Sequence, residues 1–394
     1  MRLLFVADGR SPTTLSWLRY WVETGHETHL VSTYPCQPPP GLASFHVLPV
    51  ALGGMAGGGV TGKRRGLFGR LKHILRPLRY LLGPLSLPRY QARFRRLAES
   101  IRPDLVHALR IPFEGMLAAA TPKDIPLAVS IWGNDITLHA RGSLLMGWLT
   151  RRTLRRADGL AADARRDIRL GREWGLGAEK PVLVVPGSGG IRFDVLEAAA
   201  QRSAPLPETI PPGLLVVNPR GQRPGSLRQD VFFRSIPLVL AEVPEAVFLC
   251  PPLKGDPESE RLVDELGLRE KVKLWPHLEQ GQLWKLLQQA AVFVSPSVHD
   301  GTPNSLLEAL ACGSFPVTGN IESMREWVRN GQNGLLADAA SPRALAEALI
   351  AALRDPSLRE RARIENARIL AERAGYGRCM AMAQAFYEQI LAGR

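Results

Sequence analysis

With 394 residues, 45% hydrophobic and 22% charged, the chain has ordinary globular proportions, which exclude disorder as its default state and predict two domains with sizeable cores. Fifty Lys plus Arg against 37 Asp plus Glu leave a net charge of +13, which selects anionic partners: phosphorylated ligands, nucleic acid or an acidic membrane face. The four cysteines, Cys36, Cys250, Cys312 and Cys379, form no CxxC pair and meet no His cluster at metal-ligand spacing, pointing to a reducing compartment and away from structural zinc.

The first segment, MRLLFVADGRSP, has a five-residue apolar run that ends at Asp8 and Gly9. It lacks the long apolar core of a secretion signal and reads as a strand. No stretch approaches the length of about 20 apolar residues needed to cross a bilayer, so the expected location is cytoplasmic or peripheral. Short apolar runs then alternate with helical patterns: Leu3–Ala7, His29–Ser32, Phe45–Val50, Leu105–Ala108, Leu127–Ile131 and Val182–Val185. Such alternation predicts a parallel sheet covered by helices. Within the series, GGGVTGK at 57–63 is nearly a P-loop, but Arg64 stands where Ser or Thr would bind magnesium, and a flexible loop is the preferred reading. From Lys63 to Arg96 come eleven Lys or Arg and no acid, interleaved with large apolar residues. That pattern suits an anionic membrane surface, with a solvated helix and loop as the alternative.

The proline-rich stretch 199–213, AAQRSAPLPETIPPG, reads as a linker between a first domain, 1–198, and a second, 214–375. The strand series restarts with Leu214–Val217, Ala246–Cys250, Val272–Trp275, Val292–Ser295, Phe315–Thr318 and Leu335–Ala337. Beyond Ser341 the chain reads as helical. Met380, Ala383, Phe386, Tyr387 and Ile390 give the last helix, 376–394, one apolar face, expected to pack back on the first domain. Ligands of open α/β sheets bind beyond the carboxyl ends of the strands, which predicts a site in a cleft between two facing domains.

The most informative run is AVFVSPSVHDGTPNSLLEALACG, Ala291–Gly313. A strand ends at Ser295, and Thr302 as N-cap, Pro303 at the first helical position and Gly313 as a stop predict a helix over Pro303–Cys312. The start of a helix carries unpaired N–H donors and about half a positive charge, suited to a diphosphate or sugar oxygens. Asp300 stands just before this turn. Glu308, at i+4 from Asn304 and i+3 from Ser305, shares their helical face and is placed to accept from ribose hydroxyls.

DGTPNSLLEALACG resembles the acidic-x7-Glu signature of glycosyltransferase family four, and FPVTGNIESMREWVRNGQNGLLAD, Phe315–Asp338, resembles that family's following strand, helix, Glu-containing loop and Asn-Gly turn. The resemblance implies an α/β protein of the GT-B fold: two Rossmann-like parallel-sheet domains facing across a cleft. It implies a retaining glycosyltransferase that uses a nucleotide sugar as co-substrate and no cofactor. It makes Asp300, where the family usually has Glu, the residue near the donor sugar hydroxyls, and Glu308 the ribose ligand. Gly301, Thr302, Pro303, Asn304, Ser305 and Leu306 would line the nucleotide sugar. The two basic residues that answer the diphosphate map onto Arg220 and Arg228, with Arg223 as a substitute for either; Arg suits phosphate through its planar, always-charged fork. In the first domain Gly9 corresponds to a glycine turn near the phosphate. Asp135, in SIWGNDITLH, and His107 are candidates to face the cleft or acceptor, with a cap and a satisfied core histidine as their alternatives.

No Asp-x-Asp motif occurs, so arginines and amides are expected to supply the positive charge, without a metal. The expected acceptor is a glycan, a lipid-linked sugar or a polysaccharide precursor of the cell envelope. Nucleic acid is not expected, since the basic segment lacks a recognition helix and paired aromatic platforms. Two alternatives stay open: a non-catalytic sugar-nucleotide-binding protein, or another GT-B enzyme such as a sugar-nucleotide epimerase.

Overall fold

A computed structural model describes residues 1–51 and 83–393, which divide into two units: Met1–Gly189 with Met380–Arg394, and Gly190–Cys379. The P-loop-like run 57–63 and residues 63–82 of the basic segment lie outside the described residues.

In the first unit the apolar runs form strands β1 (Arg2–Ala7), β2 (Glu27–Ser32), β3 (Ser44–Val47), β4 (Leu105–Ala108), β5 (Leu127–Ile131), β6 (Gly159–Ala162) and β7 (Val182–Val184). Among the described residues they make one parallel sheet in the order β3-β2-β1-β4-β5-β6-β7. Parallel strands need crossovers, and the crossover helices bury both faces, so β4, β5 and β6 are buried along their whole length. Leu4, Val6, Val106 and Val129 pack on one side with Phe94 and Leu117. On the other side Phe5 and His107 meet Trp17 and Trp21 from the helix Pro12–Glu23.

The last helix, Tyr376–Ala392, supplies the cover of that second side. Tyr387 stacks on Trp21 at 4.6 Å between ring centroids, and its face residues Met380, Ala383, Phe386, Tyr387 and Ile390 are all buried. Phe386 and Ile390 sit against Gly159, where a Cβ would overlap the Ile390 side chain. That contact bears on β6, which the apolar pattern does not announce: in GLAA three of four residues are small, and Gly159 is required because a helix lies directly on it.

The second unit carries β8 (Leu214–Val217), β9 (Ala246–Cys250), β10 (Val272–Leu274), β11 (Val292–Ser295), β12 (Phe315–Gly319) and β13 (Leu335–Ala337). Its parallel sheet runs β10-β9-β8-β11-β12-β13 among the described residues. The unit begins at Gly190, ahead of the stretch 199–213 read as a linker. The helix Phe193–Arg202 belongs to it, with Leu196 and Ala200 buried in one cluster with Trp275, Leu278 and Trp284. Gln282 Nε2 also donates to the Pro205 carbonyl at 2.8 Å. Prolines and small residues there remove periodicity without removing contacts.

Both sheets are doubly wound. Strand order reverses between β1 and β4 in the first and between β8 and β11 in the second, the switch points beyond whose carboxyl ends such sheets hold ligands. Among the described residues no helix is long and apolar enough to cross a membrane.

Candidate functional site

At the switch point of the second sheet, β8 leads into 218–228 and β11 into 296–303. The two loops are stitched together: Arg228 N donates to Pro296 O at 3.0 Å, and Val298 N to Ser226 O at 2.8 Å. Gly319, at the end of β12, lets the second loop lie against the sheet, since a Cβ there would overlap the Ser297 carbonyl. Ser323 Oγ donates to the Asp300 carbonyl at 2.7 Å and fixes the loop from the other side.

Into this frame the first loop delivers Arg220. Asn218 and Gln229 pin its backbone: Arg220 N donates to Asn218 Oδ1 at 3.2 Å, and Gln229 Nε2 to Arg220 O at 2.6 Å. The guanidinium then meets Asp300, Nη2 donating to Oδ2 at 2.7 Å with the side chains 5% and 17% exposed. Arg220 Nη1 reaches Ser305 Oγ at 3.4 Å in the first turn of the next helix. Its Nε is buried with no partner among the described residues.

That helix is Asn304–Ala311, with Pro303 as N-cap. Thr302 does not cap it; its hydroxyl accepts from Trp327 Nε1 at 2.8 Å, and the buried indole takes the oxygen that the sequence assigned to the helix start. Pro303 gives the helix no side-chain cap, and no acid lies in its first turn. The run from Gly301 to Leu306 is not a continuous row of amides. Gly301 N turns to Asp300 Oδ1 at 3.1 Å, Pro303 has no N–H, and Leu306 N turns to Pro303 O at 3.0 Å while its side chain enters the core.

Glu308 lies one turn on from Ser305, buried at 9% exposure. Burial pushes its carboxyl above the usual carboxylate range, offset in part by Gln280, whose Nε2 donates to Oε1 at 2.9 Å. Arg220, Asp300, Ser305 and Glu308 therefore gather at one end of the second unit. Arg228 does not join them: its fork closes on Asp230, at 2.8 Å for both bonds, because Asp230 sits two residues on in the same turn. Sequence reasoning missed Gln280, Ser323 and the Asn218–Gln229 pair, which come from separate elements and carry no local motif.

In the first unit, Gly9 N donates to Ser32 Oγ at 3.1 Å, and a Cβ at Gly9 would stand 2.7 Å from Cys36 Sγ, so close packing is what requires glycine there. Asp8 beside it pairs with Arg10 at 3.0 Å, and that guanidinium lies 3.9 Å over the Tyr34 ring. His107 and Asp135 are turned inward. His107 binds Tyr387 Oη through Nδ1 at 2.5 Å and Ser130 Oγ through Nε2 at 2.9 Å, and burial lowers it to about 3, so it stays neutral. Asp135 is fully buried; it takes Arg110 Nε at 3.0 Å, Trp132 N at 3.1 Å and Ile111 N at 3.3 Å. A carboxylate at a tight turn finds three donors from its own loop and its neighbour, which draws it away from solvent.

The chain matches the model described as glycosyl transferase 4-like domain over residues 8–187 and that of glycosyl transferases group 1 over 253–369. A D-inositol 3-phosphate glycosyltransferase of Streptomyces bingchenggensis is 25% identical over 75% of this chain, and another of Thermobispora bispora is 31% identical over 32% of it. The matches span 64% and 32% of those relatives' own lengths, less than two thirds in both cases. Among solved structures, the UDP-forming α,α-trehalose-phosphate synthase of Burkholderia vietnamiensis superposes with TM-score 0.72 at 15% identity, each chain covered in full. HepE of Anabaena in complex with UDP and glucose gives 0.69 at 14%, again over the whole of both chains. With a doubly wound sheet and a matching family model in each half, the chain belongs to glycosyltransferase family four, of the GT-B fold.

Proposed function

We propose that the chain moves a sugar from a nucleotide-diphosphate donor to an acceptor hydroxyl with retention of anomeric configuration. The observation that carries this reading is the Arg220–Asp300 pair beside Ser305 and the buried Glu308 at one helix start. In the reaction the bond between the anomeric carbon and the diphosphate oxygen breaks, and the electron pair leaves on the phosphate. The acceptor oxygen bonds to the same face of the sugar, and its proton passes to the leaving phosphate. Arg220, with its unpartnered Nε, and the helix start answer the charge that grows on the diphosphate. Preorganised donors aimed at developing charge are commonly the largest catalytic contribution. Glu308 takes the ribose hydroxyls. Asp300 anchors Arg220 and lies where the donor sugar is read; being one methylene shorter than Glu, it reaches that sugar directly or through water. The support from relatives is that those named above are glycosyltransferases and that one neighbour was solved with UDP and glucose.

The test is a screen of several nucleotide sugars for nucleotide release and transfer, repeated with Glu308→Ala and Arg220→Ala. Turnover by the parent that both variants lose supports the reading; binding without turnover under every acceptor overturns it. Arg220 and the helix start take the place of a divalent ion, so full activity is expected in a chelator; activity lost there and restored by manganese refutes that part. The proposed acceptor is a glycan, a lipid-linked sugar or a polysaccharide precursor, met by peripheral attachment to the inner face of the membrane. The basic segment 63–96 supports that location, its described part being the short turn Gly83–Ser86 and the helix Leu87–Ile101 with Arg89, Arg93, Arg95 and Arg96.

A further inference from the structure

The helix Leu144–Arg156 of the first unit is built on two unlike faces. Met146, Leu149, Thr150, Thr153 and Leu154 are buried and hold it to the first unit, and Ser143 Oγ caps it by accepting from Met146 N at 3.2 Å. Its outer face opens on Leu144, 96% exposed, with Leu145 and Trp148 38% and 56% exposed. Of the eight large hydrophobic side chains exposed among the described residues, these three fall within five consecutive positions. Single exposed apolar residues are ordinary; a cluster of Trp and Leu on one turn marks an interaction surface.

What lies around the cluster indicates its partner. Leu144, Trp148 and Arg152 follow one another at i, i+4 and i+8, so they form one stripe that runs from apolar to basic along the helix. The Arg152 guanidinium stands 5.6 Å from the Trp148 ring, and Arg141, Arg151 and Arg155 are exposed beside it. Arg151 lies 4.5 Å over Trp174. From Ile136 to Ala157 there is no acid at all. A second copy of this chain, at +13, would meet this surface with like charge. An anionic bilayer offers both halves of the complement: phosphate headgroups for the arginines, and an acyl boundary for Leu and for Trp, whose amphipathic ring favours the headgroup level.

We propose that Leu144, Leu145 and Trp148 dip into an anionic lipid surface while Arg141, Arg151, Arg152 and Arg155 hold its headgroups. This deepens the membrane-location part of the reading above and is independent of segment 63–96 and of the transfer chemistry.

The experiment is co-sedimentation of the full chain with vesicles of equal parts phosphatidylglycerol and phosphatidylcholine, and of phosphatidylcholine alone, at about 0.15 M salt. Four proteins are compared: the parent, Leu144→Ser with Trp148→Ser, Arg141→Gln with Arg152→Gln, and a variant with the Lys and Arg of 63–96 changed to Gln. Because the substituted side chains are exposed, thermal unfolding is expected to stay at the parental temperature. The apolar pair is expected to weaken binding to anionic vesicles by about tenfold or more, and each arginine by roughly fivefold. Parental binding by the apolar-pair variant overturns the proposal. If that variant binds normally while the 63–96 variant does not, the membrane location stands and this surface falls. If the parent ignores anionic vesicles, both fall. If the parent is a dimer that the apolar pair dissociates with no change in lipid binding, the surface meets a second copy and the proposal is wrong.

Discussion

Replacing Glu308 by Gln separates what this residue does for the fold from what it does for a ligand. The carboxyl is buried in a helix and is answered by the Gln280 amide at 2.9 Å on one oxygen. Burial raises it above its ordinary 4.5, so the folded chain holds a proton there more readily than the unfolded chain. The sign follows by linkage: the stability tied to this group is complete below pH 4.5 and is lost as pH rises through the higher folded value. Gln has the same shape, keeps an acceptor for Gln280 and carries no charge to desolvate. The variant should therefore unfold at a higher temperature than the parent at pH 8, with the gain fading toward pH 4.5. Donor binding should move the other way. On the proposed reading the carboxylate accepts from ribose hydroxyls, and Gln puts an amide donor in place of one of its oxygens. Hydrogen bonds to a charged group are worth about 1.5 to 3 kcal/mol, which predicts nucleoside diphosphate binding roughly ten- to 150-fold weaker. Calorimetric titration with UDP, GDP and ADP at pH 7.5, beside thermal unfolding at pH 8 and 4.5, reads both quantities. A variant that binds as the parent does, or that loses stability chiefly at pH 8, refutes the assignment of Glu308 as a buried ligand group.

Arg220→Ala should lower kcat/KM by about 10²- to 10³-fold. Asp300→Asn should lower it through the same guanidinium, so the double variant should lose clearly less than the two single losses combined; strict additivity would show that the pair at 2.7 Å is not a functional unit. Gly319→Ala drives a methyl into the Ser297 carbonyl and should displace the Asp300 loop, costing at least about tenfold in turnover by analogy with small misplacements of reacting groups; unchanged turnover would show that the loop is not held from β12. His107 is held neutral, lowered from 6.5 to about 3, so its contribution to stability is present above pH 6.5 and is lost as pH falls toward 3. Between pH 7.5 and 5 the parent should lose about 2 kcal/mol more than His107→Gln in urea unfolding, and equal losses would contradict the buried network.

Both sheets were legible because parallel strands buried on two faces are nearly continuous apolar runs, and Leu105–Ala108 and Leu214–Val217 stand where the pattern places them. What the pattern missed, it missed for physical reasons. Gly159 in Gly159–Ala162 is made necessary by a helix more than two hundred positions away, and no local window contains that partner. Thr302 has the right chemistry for a cap, but Trp327 competes for its hydroxyl from another element. At the candidate site the turn residues Pro303 and Gly313 announced the helix that bears Glu308, and Arg220 came from the family resemblance of the loop after β8. Arg228 looked equivalent in one dimension; only three-dimensional structure shows Asp230 closing on its fork. Asp135 and His107 illustrate the limit of residue type as a guide, since the same side chains serve catalysis or a satisfied core according to which donors surround them.

The placement of Tyr387 has a consequence for how the chain can be made. The face of the first sheet bearing Phe5, Trp17, Trp21 and His107 is closed by a helix synthesised only after the whole of 190–379. A nascent first unit emerging from the ribosome therefore carries an open aromatic surface through the time needed to make the other unit, whereas that other unit is contiguous and has all its parts once residue 379 is out. Fragments ending near residue 189 should for the same reason be sticky and require the segment 380–394 in trans or fused in place. Moving 380–394 ahead of residue 1 in a permuted chain should therefore give the first unit its closing helix before its sheet is complete.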